Sequence, residues 1–244
     1  MKVKDKTKHL AKQLLPNFLL RPLLLRRSRR RHQSNVGRPA SEIFTRYYEV
    51  NRWNSPESLS GPGSTLDDTR SVRENLLSLL RGRNVRSMLD APCGDFNWMR
   101  TINLGECSYI GADIVAPMIA QNNTRYASEK VRFVQLDITK DPLPQVDLIF
   151  CRDCFMHLPF EMISAALKNF KRSGAQWLLA SNHRNRRINY DIVIGDVRPI
   201  NLEIDPFFLP TPAQVLFDEK SATPDPRDEF LRTLSLWNLK DLSF

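Results

Sequence analysis

From residue 85 onward, short apolar runs alternate with longer stretches in which apolar positions recur every three or four residues. Runs of four to six residues rich in Val, Ile, Leu and Phe read as buried strands, and a spacing near 3.6 reads as helix. The pattern predicts strands over 85–89, 109–114, 131–136, 146–151 and 176–180. It predicts a helix start over 96–102 and helices over 115–126 and 160–170. Residues 215–217 and 230–237 read as a terminal hairpin. Strands separated by helices predict an α/β fold with a parallel sheet covered on both faces. Upstream, Leu66, Leu76, Leu77, Leu79 and Leu80 mark a helix that Ser64 or Thr65 caps and that ends near Arg81. Two readings stay open for the preceding Ser60-Gly61-Pro62-Gly63-Ser64: a turn with a cap, or a loop closing over a ligand with free backbone N–H groups.

Composition changes this picture at one end. The chain has 244 residues, 41% hydrophobic and 26% charged, which excludes a disordered, collagen-like or coiled-coil protein. A chain of this length buries a core without disulfides or metals. The net charge of +9 is uneven: residues 1–40 hold twelve Lys and Arg against the single acid Asp5. The remaining 204 residues hold 24 bases and 26 acids. A basic arm over 1–40 and one domain over 41–244 follow. The near-neutral body lacks the basic face of a nucleic-acid-binding domain, so no nucleic-acid partner is expected. Within the arm, LLPNFLLRPLLL (14–25) lies between KVKDKTKH and RRSRRRH. This run is too short to span a bilayer. Arginines follow it where a secretory signal would show small residues for cleavage. It reads as a disordered tail, an RNA-binding tail or a peripheral membrane contact; in the last, leucines enter the interface and arginines pair with anionic headgroups.

Cys151 and Cys154 form a lone C-x-x-C, with no second pair and no spaced histidines to complete a zinc site. No metal is expected. These two, with Cys93 and Cys107, read as buried reduced thiols, hence a cytoplasmic setting, at the inner face of the membrane if the arm docks there.

In parallel α/β sheets ligands bind beyond the carboxyl ends of the strands. The predicted strand ends carry Asp90-Ala91-Pro92-Cys93-Gly94-Asp95, Asp113-Ile114, Asp137-Ile138 and Arg152-Asp153. Gly94 lets a ligand approach the backbone. Asp113 stands at the distance from Asp90 expected of an acid that accepts ribose hydroxyls. Asp137 is placed to accept from an adenine amino group. One glycine beside two acids would repel a dinucleotide pyrophosphate. Ribose, adenine and a cationic centre together suit S-adenosylmethionine.

The segments DAPCGDFNWM, YIGADIV, VQLDIT and CRDCFMHLP, across about residues 85–185, resemble the class I S-adenosylmethionine-dependent methyltransferases. In the first, Pro92 stands where the family's first glycine is usual. The resemblance implies a Rossmann-like, doubly wound, seven-stranded sheet with a reversed last strand. It implies S-adenosylmethionine as cofactor, held by Asp90, Cys93, Gly94, Asp113, Ile114, Asp137 and Ile138. SGPGSTL, NYDIVIGDVRPINLEIDPFFLPTP and LSLWNLKDL resemble a bacterial subgroup of glycan O-methyltransferases that includes enzymes acting on rhizobial lipo-chitooligosaccharide nodulation factors. That implies a sugar hydroxyl on a carbohydrate or lipo-oligosaccharide as acceptor. A different small hydroxylated molecule or lipid, or a membrane-associated non-catalytic binder, are the alternatives.

A sugar hydroxyl is a poor nucleophile, so a base is useful. His157, after the fourth strand, is the candidate, with a helix-start structural role as the other reading. Asp153 is the alternative base or the group that orients His157. Arg152 is expected to pair with an acid, and His183 to line the entrance. Residues 184–212 form a long Pro-, Asn- and Asp-rich loop of the kind that is functional or disordered. Phe207 and Phe208 with Trp237 are candidates for a sugar-stacking platform, with Asn189, Asp191 and Arg198 as polar readers. Core packing is the other reading for Trp237 and the phenylalanines.

Overall fold

The computed structural model describes residues 17–218, 228 and 230–243. His9 and the rest of the first sixteen residues of the arm lie outside the described residues, as does part of the connection inside the terminal hairpin. The helices are α1 (Asn17–Arg31), α2 (Ala40–Glu49), α3 (Arg70–Gly82), α4 (Ala116–Tyr126) and α5 (Phe160–Arg172). The strands are β1 (Ser87–Asp90), β2 (Ser108–Asp113), β3 (Val131–Gln135), β4 (Leu148–Cys151), β5 (Trp177–Asn182), β6 (Gln214–Phe217) and β7 (Thr233–Asn238).

They form one seven-stranded sheet in the order β3-β2-β1-β4-β5-β7-β6. β1 to β5 are parallel; β7 runs antiparallel to both β5 and β6. The strands bury both faces, and successive side chains serve opposite ones. Leu89, Ile110, Ile149 and Leu178 point to one core with Ile163, Ala166, Leu167 and Phe170 of α5. Met88, Tyr109, Leu148, Phe150 and Leu179 point to the other, with Val72, Leu76, Leu79 and Leu80 of α3. The helix positions repeat at three and four residues, the stripe an amphipathic helix buries. β1 and β4 lie side by side at the centre, where strand order reverses.

The N-terminal segment departs from the expected division at residue 40. α1 continues through Pro22 and places Leu20, Leu24 and Ser28 against the body. Ser28 Oγ accepts from the Val193 N–H at 2.9 Å, Arg31 pairs with Asp196 at 2.7 Å, and Arg21 pairs with Asp205. Asn35, buried, donates to Tyr47 Oη and to the Ile194 carbonyl. Gly195 follows in a left-handed conformation, φ +83°, and a Cβ there would lie 2.7 Å from Tyr47 Oη. The described part of the arm is thus packed onto the loop after β5.

Two helix expectations also change. Residues 96–102 hold one 3-10 turn (Met99–Thr101), because Phe96 sits at φ +59° and interrupts any helix there. α3 starts at Arg70, five residues after Thr65, whose hydroxyl caps a separate turn by accepting from the Asp68 N–H.

Candidate cofactor and acceptor site

The carboxyl ends of β1 to β4 open into a cleft connected to solvent. Asp90, Cys93, Gly94, Asp113, Ile114, Asp137 and Ile138 all line it, as do His157 and Asp153. Each strand delivers its acid at the point where pairing stops, which is why residues far apart in sequence converge.

The turn after β1 is held from three sides. Tyr109 Oη donates to Asp90 at 2.7 Å. The Gly94 N–H donates to one oxygen of Asp113 and the Val115 N–H to the other. Asn122 of α4 donates to the Gly94 carbonyl. Gly94 has φ +57°, and a Cβ there would lie 2.2 Å from Ser60 Oγ. Burial pushes the Asp90 carboxyl up to about 7, against the pull of the Tyr109 hydrogen bond. Burial likewise pushes Asp113 up to about 6, against its backbone N–H partners. Two carboxyls made reluctant to ionise favour a ligand that brings positive charge or hydroxyl donors. Each Asp113 oxygen, with one N–H already bound, keeps further acceptor capacity. At Asp137, Oδ1 accepts from the Thr139 N–H and hydroxyl, and Oδ2 lies 3.4 Å from Lys140.

The loop over 58–65 packs against this turn through Asp95. The Asp95 carboxylate accepts from Ser58 Oγ, the Leu59 N–H and Ser60 Oγ, and its own N–H donates to Ser60 Oγ. The N–H groups of Gly61, Ser64 and Thr65 are bonded within the loop, so it acts as a wall anchored by side chains and does not offer those N–H groups to a ligand.

His157 follows β4 in a 3-10 turn, stacked at 4.8 Å against Trp53. Its Nδ1 lies 3.2 Å from the Asp196 carbonyl. A carbonyl only accepts, so Nδ1 carries the proton and Nε2 is the basic nitrogen. Burial lowers the His157 pKa below the ordinary histidine value, keeping the ring neutral. Asp153 is different. Burial alone would raise its pKa, but Arg152 and Arg232 outweigh that and hold it at about 2. Arg232 Nη1 lies 3.1 Å from its carboxylate and Ser181 Oγ donates to it. A carboxylate so paired is a weak base, and its hydrogen bonds come from Ser181 and Arg232 and not from His157; Asp153 is therefore assigned neither candidate role. Arg152 does pair with an acid, donating from Nε and Nη2 to Asp218.

The proposed acceptor readers fail on burial. Asn189 is fully buried and bonds Asn201 and the Asp205 carbonyl. Asp191 accepts from the Phe160 N–H, satisfying an orphan donor at the start of α5. Arg198, also fully buried, donates to the carbonyls of Phe155, Leu158 and Tyr190. Phe207 packs edge-on against Phe160, and Trp237 is buried in β7 with Nε1 on the Pro210 carbonyl. Only Phe208 of that group is exposed. These residues hold the 184–212 loop in place; its backbone needs side-chain partners because it forms no strand. His183 is buried too, and burial drives it down to about 4; it accepts from the Ile200 N–H and is not at the entrance.

In their place the cleft is walled by Phe44, Tyr47, Tyr48 and Trp53. The aromatic cluster in FTRYYEVNRW was the available signal, but nothing local tied it to strands forty residues on. All four cysteines are free thiols, Cys93, Cys107 and Cys151 buried. Among the described residues no group of three or more His, Cys, Asp or Glu is arranged to hold a metal ion.

Residues 88–175 match the methyltransferase domain family. That segment, about a third of the chain, is similar to a class I S-adenosylmethionine-dependent methyltransferase domain. The sheet order and the antiparallel seventh strand are those expected of it. The chain is similar in fold to Burkholderia thailandensis 1,6-didemethyltoxoflavin-N1-methyltransferase, at 14% identity and a TM-score of 0.55, over 82% of this chain and 86% of that one. It is similar also to human N-acetylserotonin methyltransferase, at 16% identity and a TM-score of 0.52, over 83% of this chain and 60% of that one. No curated protein sequence matches.

Proposed function

We propose that this methyltransferase transfers its methyl group to oxygen, with His157 as the base that takes the hydroxyl proton. The supporting observation is the state of that ring: half-buried, neutral, its Nδ1–H fixed on the Asp196 carbonyl, and part of the wall of the cofactor cleft. The acceptor is a sugar hydroxyl of a glycan or lipo-oligosaccharide, of which the 2-hydroxyl of a fucosyl group on a nodulation factor is the specific case. The sequence resemblance supports that choice. So does the lining of Phe44, Tyr48 and Trp53, which offers a sugar ring apolar faces to stack on.

The bound cofactor supplies an electrophilic methyl group on a cationic sulfur. Asp113 would accept from the ribose hydroxyls, and Asp137, on the same wall, would accept from the adenine amino group. Asp90 and the Gly94 turn form the base of the cleft. Trp53 and the 58–65 loop exclude water on the acceptor side. Alignment of acceptor, methyl and leaving group supplies roughly 7–11 kcal/mol in well-oriented systems, and removal of the proton supplies a further increment.

The test is incubation with labelled S-adenosylmethionine and a panel of fucosylated lipo-oligosaccharides, free sugars, phenols and amines, with mass spectrometry to place the label. Methyl on a sugar oxygen is expected. Label found only on nitrogen, or only on non-sugar hydroxyls, would overturn the oxygen or the sugar assignment respectively.

A further inference from the structure

The outward side of α1 plays no part in the cleft or in the packing of the body. Leu20, Leu24 and Ser28 fall on the inward side, at four-residue spacing. At about 100° per residue, the opposite side carries Phe18, Leu19 and Leu23 in its first half and Arg26, Arg29 and Arg30 in its second, with Arg27 exposed on the flank. The apolar three are 72%, 51% and 39% exposed. The four arginines are exposed, and among the described residues no ion pair is formed by any of them. The acids within reach of the helix are already taken: Asp205 by Arg21, and Asp196 by Arg31 and His32.

We propose that this side of α1 docks on an anionic lipid membrane. Single exposed apolar side chains are ordinary, but three on one helix face, followed by four unpaired guanidinium groups, give that surface the apolar and the basic groups that an anionic membrane takes up. The apolar end enters the acyl boundary and the basic end meets anionic headgroups. Among the described residues no helix is long and apolar enough to cross a membrane, so α1 lies on it. A nucleic acid would use the arginines and leave Phe18, Leu19 and Leu23 without a role. The inward side of α1 and the residue after it reach towards the chemistry: Asp196 holds Arg31 and His32 with its carboxylate and His157 with its carbonyl. The inference rests on the surface of α1 alone, so it stands or falls apart from the assignment of acceptor.

The experiment is flotation of the full chain with phosphatidylcholine vesicles, with and without phosphatidylglycerol. Two variants are compared: Phe18→Ser with Leu19→Ser and Leu23→Ser, and Gln in place of Arg26, Arg27, Arg29 and Arg30. Binding is expected only with phosphatidylglycerol and is expected to weaken steeply in high salt. The arginine variant should lose roughly 600-fold in affinity, at about fivefold for each of four residues, and the apolar variant about tenfold or more. Both should keep wild-type cofactor affinity, since the altered side chains face away from the body. Unchanged vesicle binding in either variant overturns the proposal. So does an RNA oligonucleotide that displaces the vesicles and binds the apolar variant undiminished, or a homodimer that the apolar variant dissociates.

Discussion

At the scale of single residues, the cofactor half of the cleft depends on acids whose burial is compensated locally. Asp113 touches two backbone N–H groups and keeps capacity for ribose. Asp113→Ala should weaken S-adenosylmethionine binding by tenfold or more, since a hydrogen bond to a charged group is worth roughly 1.5–3 kcal/mol. Calorimetry on the folded variant measures this directly. His157 makes a different demand. His157→Ala should lower turnover by about 10²–10⁴-fold and leave cofactor affinity nearly unchanged, because the ribose and adenine contacts come from other strands. Burial lowers the His157 pKa, so the ring is already neutral at pH 7. Wild-type turnover should therefore be flat near neutrality and fall only as acid protonates the ring, below the ordinary histidine range. A stopped assay across pH, with and without the variant, shows whether that acidic limb belongs to His157.

At the scale of elements, α1 and the loop after β5 support one another. Asn35 is the junction, bonded to Tyr47 and to the Ile194 carbonyl, with the side chain of Arg46 donating to its Oδ1 at 2.7 Å. Asn35→Ala takes the donor from the Ile194 carbonyl and the acceptor from Arg46, and leaves Tyr47 with only His32 and the Gly195 carbonyl. The expected loss is about 1–3 kcal/mol, read as a lower midpoint in urea. Turnover should fall more than cofactor affinity, because the same loop presents the Asp196 carbonyl to His157. The first four strands of the sheet were legible to within a few residues because each is a mainly apolar run with an acid at or just past its end. The short turn at 99–101 and the start of α3 were not. Phe96 in a left-handed conformation and Thr65 as cap of a separate turn are decisions of hydrogen bonding across the fold, not of local spacing.

Across the whole molecule, a buried charge network ties the β4 end to β6, β7 and the loop before α3. Arg152 bonds Asp218 and the Gly63 carbonyl; Arg232 reaches Asp68 and Asp153. Arg152 lies also 5.6 Å from the Trp98 ring. Asp218 is fully buried, so Asp218→Ala strands a guanidinium that has left water. Breaking such a pair from one side costs roughly 3–5 kcal/mol. A large fall in the denaturation midpoint is expected, together with weaker order in the 58–65 wall, measurable as faster hydrogen exchange there. An equal midpoint in wild type and variant would show that Asp68 and Asp153 suffice to hold Arg152.

The sequence by itself determined the class of fold, the carboxyl-end placement of Asp90, Asp113 and Asp137, and with them the cofactor. Each of those follows from periodicity and from the rule that strands end where ligands bind, and both are local. Only the tertiary structure decided what Asn189, Asp191, Arg198, Phe207 and Trp237 do. Polar and aromatic side chains in a long loop look alike whether they face a ligand or an unpaired carbonyl, and their burial is set by packing against distant segments. The same holds for Phe44, Tyr47 and Trp53, which reach the cleft only because α2 lies across it, and for α1, whose leucines divide between body and solvent once a partner surface fixes which side turns inward.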